Sequence, residues 1–398
     1  MDGTNDVASV QGFKASAVPA GLKKDNSLDM ALIFSEKEAT AAGVFTTNRV
    51  KAAPILLTRE HIAAGKARAI IANAGNANAC TGEAGINDAR RTAELVAEAL
   101  GINPDEVLVS STGVIGQTLD MKLISDAVPD LVGSLSKTGM ASAAQAIMTT
   151  DSFPKISQFE GRVGEHIYRI QGIAKGAGMI MPNMATMLCF IMSDIVIGTE
   201  DLKKALLTSV EESFNRITVD GDTSTNDMVL VLANGMAGNG RLTDMDFHEF
   251  INGLSQVMGE LARMIVRDGE GATKVVNIRI KGAHSALDAM NAARTVANSS
   301  LVKTAFYGED PNWGRIMAAL GRAGIQIDEG NVNIFVNDIQ IVSNGLGKGF
   351  EAEKKAAEQM ALKEFSVTIN LNQGSFQDWV ISCDLTHDYV SINADYRT

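Results

Sequence analysis

Cysteine and histidine are scarce in this chain of 398 residues. The three cysteines, Cys80, Cys189 and Cys383, lie far apart and form no CxxC pair, and the five histidines are scattered outside the loops that carry other reactive side chains. These patterns argue against a disulfide framework and against the usual zinc-ligand spacings. We therefore expect no metal site and a reducing compartment, which favours a cytoplasmic location.

Long apolar runs and an excess of positive charge are also missing. No run approaches the ~20 apolar residues that span a bilayer, and the acidic, polar residues 1–6 lack the basic and apolar regions of a signal peptide. Acidic residues outnumber basic ones by 47 to 35, giving a net charge of -12. Because a nucleic-acid binder shows a basic patch or stripe, we expect neither a nucleic-acid nor a membrane partner.

The common catalytic signatures are absent as well. The chain has no GxSxG elbow, no HExxH pair, no Walker loop and no GxGxxG after a strand, since the segment Gly176-Ala177-Gly178 lacks the third glycine. The acidic segment 220–227 lacks the ligand spacing of a calcium loop, which leaves a polar loop that feeds a strand and could lie beside a site. Because the five histidines also lie outside the candidate loops, a nucleophile in this chain would need a base other than histidine.

What is present is an ordinary globular composition, with 45% hydrophobic and 21% charged residues. The length predicts two domains, or one large α/β unit with a second lobe. Apolar periodicity predicts amphipathic helices over 83–100 and 243–267. It also predicts two strands at 30–34 and 43–47 joined by a polar turn, and a strand at 301–306. The polar tail 391–398 is expected to fray unless it is docked.

One stretch, residues 175–188, stands out. It opens with Lys175 and two glycines, turns at Pro182-Asn183, and enters an apolar run at Met187. Thr186 lies where the loop meets the predicted strand, so its hydroxyl is either an ordinary strand-start group or a nucleophile on a rigid element. Without histidine, a threonine can use its own α-amine as the base, which requires cleavage of the Ala185–Thr186 bond.

Other loops carry residues that suit either chemistry or an ordinary structural role. Residues 73–82 are small or amide-bearing, which suits either a ligand loop or a tight irregular turn. Thr112 and Gly113 follow a strand, where backbone N–H groups can hold an oxyanion, although such turns are often only structural. Glu270 lies between Gly269 and Gly271, and a helix C-cap accounts for the first glycine but not for the second.

Several of these segments, in this order, closely resemble the ornithine acetyltransferase family, also called glutamate N-acetyltransferase. The segments that carry the resemblance are residues 42–48, 73–78, 111–116, 148–151, 175–188, 268–274 and 310–315. Small departures are Ala177, where the family pattern has Ser, and Met181, where Ala is common. The resemblance implies a layered α/β/β/α-type sandwich of the ornithine acetyltransferase and aminopeptidase kind. It places the main catalytic domain at 1–280 and a smaller C-terminal α/β domain at 281–398.

The resemblance also implies self-cleavage between Ala185 and Thr186, giving an α chain (1–185) and a β chain (186–398) that assemble as a heterotetramer of two of each. Thr186 would be the nucleophile, with Thr112 and Gly113 as the oxyanion hole. The implied reaction moves acetyl from N2-acetyl-L-ornithine to L-glutamate by a ping-pong scheme in arginine biosynthesis. No cofactor is implied, and acetyl-CoA is a further co-substrate of some members.

The family's substrate-contacting positions fall on six residues of this chain: Thr149, Lys175, Thr186, Glu270, Asn393 and Thr398. Thr150 is the alternative to Thr149. Lys175 suits a substrate α-carboxylate and Glu270 suits the ornithine side-chain ammonium. The competing function is an N-terminal-nucleophile aminopeptidase or amidohydrolase of related fold, which would give the acyl group to water. A non-catalytic binding protein is disfavoured, because Thr186, the Thr112-Gly113 pair and Lys175 occur together.

Overall fold

The computed structural model describes residues 9–181 and 187–395. Within those ranges the protein is a mixed α/β structure with two sheets. The first part comprises β1 (Phe13–Val18), β2 (Met30–Phe45), α1 (Ala53–His61), β3 (Lys66–Asn76), α2 (Gly82–Leu100), β4 (Val107–Val114), α3 (Met121–Gly133), α4 (Met140–Ala146), β5 (Lys155–Val163), β6 (His166–Lys175), β7 (Leu188–Ser193), α5 (Thr199–Glu211), β8 (Met228–Ala233) and α6 (Asp244–Arg267).

The first sheet has eight strands in the order β4-β3-β2-β8-β7-β6-β5, with β1 also paired to β2. Strand β2 joins its two halves. Residues 30–34 of β2 pair with β1 and β3, and residues 40–45 pair with β8. The prediction of two separate strands was therefore wrong. The polar residues between Phe34 and Ala39 form a shift in register within one long strand, as a β-bulge does.

Alternate residues of the strands show how the layers stack. Ile33 of β2 and Phe190 of β7 belong to one core that lies between the two halves of the sheet. Their neighbours face outwards: Leu32 packs with α1, α2 and α3, and Ile191 packs with α5 and α6. Both faces of each half are thus buried, and each such side chain contributes roughly 1.5–3 kcal/mol. This arrangement confirms the predicted α/β/β/α-type layering.

The second sheet has six strands in the order β12-β11-β10-β13-β9-β14 and its own apolar core. Its elements are β9 (Val275–Ala283), α7 (Ala286–Ala297), α8 (Ser300–Tyr307), α9 (Trp313–Gly321), β10 (Asn333–Val336), β11 (Ile339–Ser343), β12 (Leu346–Gly347), α10 (Phe350–Met360), β13 (Glu364–Asn370), β14 (Phe376–Cys383) and α11 (His387–Asp395). This sheet begins with β9. The division into 1–280 and 281–398 stays a prediction.

Two details of the second part differ from the sequence predictions. Residues 301–306 lie in helix α8, not in a strand. Val302, Ala305 and Phe306 are buried there, at helical spacing on one face, and a short apolar run cannot be assigned to strand or helix by periodicity alone. The polar tail does not fray at its start, because residues up to Asp395 form α11. No helix in the described ranges is both long and apolar enough to cross a membrane.

Candidate active site

One pocket collects the predicted site residues that the structure describes. Its cavity volume is about 60 Å³. Its walls come from the end of β4, the loop after α4, the end of β6, the loop after α6 and the C-terminal helix α11. The lining side chains and backbone belong to Thr112, Gly113, Ile115, Thr149, Thr150, Lys175, Gly178, Met179, Ser224, Thr225, Asn226, Glu270 and Asn393.

Gly113 holds the β4 end of the pocket in a conformation that requires glycine. Its φ is +131°, and a Cβ atom there would lie 2.3 Å from the carbonyl carbon of Gly75 on β3. The two backbones therefore touch, which no side chain would permit. The Asn226 side chain fixes the same segment, since its Nδ2 donates to the carbonyl oxygens of Ser111 at 2.8 Å and Ala77 at 2.7 Å.

Lys175 is the cation of the pocket. It is only 5% exposed. Its Nζ donates to Thr149 Oγ1 at 2.8 Å and to Thr112 Oγ1 at 3.3 Å. Burial lowers the pKa of Lys175, and Asp151, whose Oδ2 is 4.0 Å from Nζ, acts in the opposite direction. With two neutral hydroxyls as its hydrogen-bond partners, this ammonium suits an incoming carboxylate.

Glu270 lies on the opposite side, in the loop that follows α6. Its backbone N–H donates to the carbonyl oxygen of Ala177 at 2.9 Å, which ties this loop to the strand end that bears Lys175. Asn393 of α11 donates from Nδ2 to Glu270 Oε2 at 2.8 Å. Gly178 leaves room for the carboxylate, because a Cβ atom there would lie 2.5 Å from its carbon. A half-buried carboxylate in this position suits a cationic group of a ligand.

Asp220 and Asp227 hold the two described flanks of residues 182–186, and sequence reasoning assigned neither a role. Asp220 accepts from the backbone N–H groups of Met179 at 2.7 Å and Ile180 at 2.9 Å. Asp227 Oδ1 accepts from the backbone N–H of Met187 at 3.0 Å. Burial raises the pKa of both carboxyl groups, most strongly for Asp227. The acidic composition of residues 220–227 is the one signal in the sequence, and it predicts only a polar loop that could lie beside a site.

Three further charged residues beside the pocket were also missed as functional candidates. Asp151, Lys155 and Asp268 are buried and bonded to one another behind Lys175. Burial opposes ionisation of Asp151, but Lys175 and Lys155 outweigh it and hold the pKa of Asp151 below its usual value. The pairing of Lys155 with Asp268 could not be recognised from the sequence because the two positions are 113 residues apart.

The remaining predicted site residues, Ala185, Thr186 and Thr398, lie outside the described residues. Thr149 and Thr150 both line the pocket, and Thr149 is the one that accepts from Lys175. Within 9–181 and 187–395, no three His, Cys, Asp or Glu side chains are arranged to hold a metal ion.

A family model and several known proteins match this chain over nearly its whole length. The model of the ArgJ family matches residues 14–398. The arginine biosynthesis bifunctional protein ArgJ of Geobacter sulfurreducens is 50% identical over 392 residues, which cover 98% of this chain and 100% of that protein. The glutamate N-acetyltransferase of Methanocaldococcus jannaschii is 47% identical over 404 residues, covering 98% of each. A crystal structure of ArgJ from Bacillus halodurans is 41% identical, with a TM-score of 0.49, and covers 51% of this chain and 96% of that one.

Proposed function

The chain belongs to the ArgJ family, and on that premise we propose that it transfers an acetyl group from N2-acetyl-L-ornithine to L-glutamate in arginine biosynthesis. The products are L-ornithine and N-acetyl-L-glutamate. The observation that carries the proposal is the convergence of Thr112, Gly113, Thr149, Lys175 and Glu270 on one pocket. Both amino-acid substrates have an α-carboxylate for Lys175, and ornithine has a side-chain ammonium for Glu270.

In the proposed mechanism, Thr186 becomes the first residue of the β chain by cleavage of the bond after Ala185. Its hydroxyl oxygen attacks the acetyl carbonyl carbon while its freed α-amine accepts the hydroxyl proton. Thr112 and Gly113 stabilise the oxyanion of the tetrahedral intermediate. The amide bond then breaks, ornithine leaves with the proton on its nitrogen, and the acetyl group remains as an ester of Thr186. In the second half-reaction the amine of glutamate attacks the ester carbonyl carbon and gives up a proton to the Thr186 amine. The bond from that carbon to Thr186 Oγ1 then breaks, Oγ1 regains a proton, and N-acetyl-L-glutamate leaves.

After the proposed cleavage, the fold would still hold the two chains together. Residues 1–185 supply β2 and β6, and residues 186–398 supply β7 and β8. Strand β6 pairs with β7, and β2 pairs with β8. The two chains would thus stay joined through sheet hydrogen bonds and a shared core. We further propose assembly into a heterotetramer of two α and two β chains. The proposed compartment is the cytoplasm, since all three cysteines are free.

The test incubates purified protein with N-acetylornithine and glutamate and measures N-acetylglutamate. The proposal expects stoichiometric formation of ornithine and N-acetylglutamate, and it expects Thr186→Ala to be both uncleaved and inactive. Cleavage of Thr186→Ala at the same bond would contradict the mechanism. Release of ornithine and acetate without acetylation of glutamate would instead support the alternative, an N-terminal-nucleophile aminopeptidase or amidohydrolase.

Use of acetyl-CoA as an acetyl donor needs its own assay. Relatives named as bifunctional ArgJ and as glutamate N-acetyltransferase are almost equally similar to this chain, at 50% and 47% identity. Incubation with acetyl-CoA and glutamate, without acetylornithine, distinguishes the two activities. Formation of N-acetylglutamate identifies a bifunctional enzyme, and its absence identifies one that only recycles the acetyl group.

A further inference from the structure

A closed network of charges lies directly behind the cation of the pocket. At its centre is Lys155, the first residue of β5, whose side chain is 0% exposed. Its Nζ is 2.7 Å from Asp151 Oδ1 and 2.5 Å from Asp268 Oδ2. Two carboxylates therefore share one buried ammonium that does not itself line the pocket.

Asp151 connects this network to the pocket wall. Its Oδ2 accepts from the backbone N–H of Thr149 at 3.0 Å, and its Oδ1 accepts from the backbone N–H of Gly176 at 2.7 Å. It thus fixes Thr149 itself and the residue that follows Lys175. Lys175 Nζ nevertheless stays 4.0 Å from Asp151 Oδ2 and bonds to Thr149 Oγ1 at 2.8 Å.

Asp268 connects the same network to the opposite side of the pocket. It caps the end of α6 and lies two residues before Glu270. It accepts from the backbone N–H of Ser152 at 3.0 Å and also from the hydroxyl of Ser152. Lys155 therefore joins the segment that bears Thr149 to the loop that bears Glu270.

The distances indicate what Lys155 does for Lys175. A buried carboxylate with no close cation would attract the nearest ammonium strongly, because charges interact more strongly where water is excluded. Lys155 already makes the short contact to Asp151, so Lys175 remains directed at Thr112 and Thr149. We propose that Lys155 is a positioning residue: it makes the short contacts to Asp151 and Asp268 and so leaves the Lys175 ammonium directed into the pocket, where it binds the α-carboxylate of the substrates. This inference rests on the proposed function, which supplies those substrates.

Removing Lys155 alone is a poor test. Lys155→Met would leave two buried carboxylates facing each other, and breaking a buried ion pair by removing one partner is strongly destabilising. The double variant Lys155→Met with Asp268→Asn removes one charge of each sign and keeps the volumes similar. Of the two described ion-pair partners of Asp151, Lys175 then remains. The matched control is Lys14→Met with Glu36→Gln, which removes a surface pair whose ionised atoms are 2.6 Å apart.

The expected result is a KM for N-acetylornithine raised by about tenfold, with kcat changed much less, because a carboxylate contact made equally in ground and transition states affects KM alone. The control double variant should keep both constants. A merely structural role would lower kcat through loss of active protein and leave KM unchanged, and that outcome would overturn the inference. An unchanged KM together with an unchanged kcat would overturn it as well.

Binding measurements separate this inference from the proposed function. Titration calorimetry gives the Kd of ornithine and of glutamate for both proteins without acetyl transfer, because both compounds have an α-carboxylate and neither carries an acetyl group. If the unsubstituted enzyme binds these compounds but transfers no acetyl group, the proposed function fails, while a Kd weakened by about tenfold in the Lys155 double variant still supports the role of Lys155. Equal affinities in the two proteins overturn that role. An unsubstituted protein that binds neither compound overturns both proposals.

Discussion

The inner wall and the outer rim of the pocket are built in different ways. The inner wall consists of Thr112, Thr149 and Lys175, and a network of buried charges fixes Lys175 and Thr149 in place. The rim consists of Glu270 in a loop and Asn393 on α11, a helix with no buried residues. Buried charged contacts are costly to break and exposed ones are not. Substitutions behind the inner wall should therefore affect folding as well as binding, and substitutions at the rim should affect binding alone.

The largest effect is expected from Asp151→Ala. The variant leaves the ammonium groups of Lys155 and Lys175 without the carboxylate that lies between them, and loss of one member of a buried pair costs about 3–5 kcal/mol. Urea denaturation of the variant and of the unsubstituted protein measures the difference. A loss below about 1 kcal/mol, the size of an exposed ion pair, would remove the distinction between wall and rim.

The same variant has a defined dependence on pH. The folded-state pKa of Asp151 is lower than its ordinary value, so its stabilising effect is fully present above the unfolded pKa and is lost as the pH falls through the folded pKa. The destabilisation caused by Asp151→Ala should therefore be complete at neutral pH and shrink at acid pH. Denaturation curves at a series of pH values check this, and a difference that grows on acidification would contradict it.

The next effect concerns Gly113 at the β4 end of the inner wall. Gly113→Ala places a Cβ atom 2.3 Å from the backbone of Gly75, so the strand end must move. In the proposed mechanism Gly113 is an oxyanion donor. Loss of one such donor lowers kcat by roughly 10²–10³, and a displaced one should approach the lower limit. Steady-state kinetics measure the kcat of Gly113→Ala against that of the unsubstituted enzyme. The control is Gly116→Ala, which also has a positive φ, +80°, but whose Cβ atom would meet nothing within 4 Å. Equal kcat values for the two variants would exclude the steric explanation.

A smaller effect is expected from Gly178→Ala at the rim. The added Cβ atom would lie 2.5 Å from the Glu270 carboxylate, which must rotate away because it is the end of a flexible side chain. The KM for N-acetylornithine should rise several-fold, while the free energy of unfolding changes by less than about 1 kcal/mol. A loss of stability as large as that of Asp151→Ala would show that substitutions at the rim and behind the inner wall affect folding equally.

The smallest effect is expected from Asn393→Ala. Asn393 is exposed and makes one contact with Glu270, at 2.8 Å. Loss of an exposed hydrogen bond of this kind changes stability by about 0.5 kcal/mol, the low end of the usual range. The KM for N-acetylornithine should rise by less than in Gly178→Ala, and kcat should stay the same. A fall in kcat would place Asn393 in the chemical step and not at the rim.

The sequence was informative where local pattern determines structure. The long amphipathic stretches 83–100 and 243–267 are α2 and α6, within a residue of the predicted ends. The sequence was misleading where tertiary contacts determine the structure. Polar residues after Phe34 indicated a turn, whereas pairing on both sides keeps β2 continuous. Strand β5 was not predicted, and with it the position of Lys155 at the start of a buried strand was missed.

The site also combines residues that local motifs reveal with residues that only tertiary contacts bring together. The quoted motifs pointed to Thr112, Gly113, Lys175 and Glu270, and the structure brings these residues to one pocket. The charges behind them were not recognised, because Asp268 reaches Lys155 only when distant segments meet, and burial of the nearby pair Asp151–Lys155 depends on the same packing. A single sequence shows which residues are reactive, but it does not show which buried charges compensate one another.

The measurement that tests the central claim most directly is the mass of the fragments after exposure to N-acetylornithine without glutamate. The account predicts two fragments, with Thr186 at the start of the second, and a gain of one acetyl group on the fragment 186–398. Addition of glutamate should remove that group and yield N-acetylglutamate. An uncut chain, or a cut chain whose second fragment never acquires the acetyl group while transfer proceeds, would contradict the account.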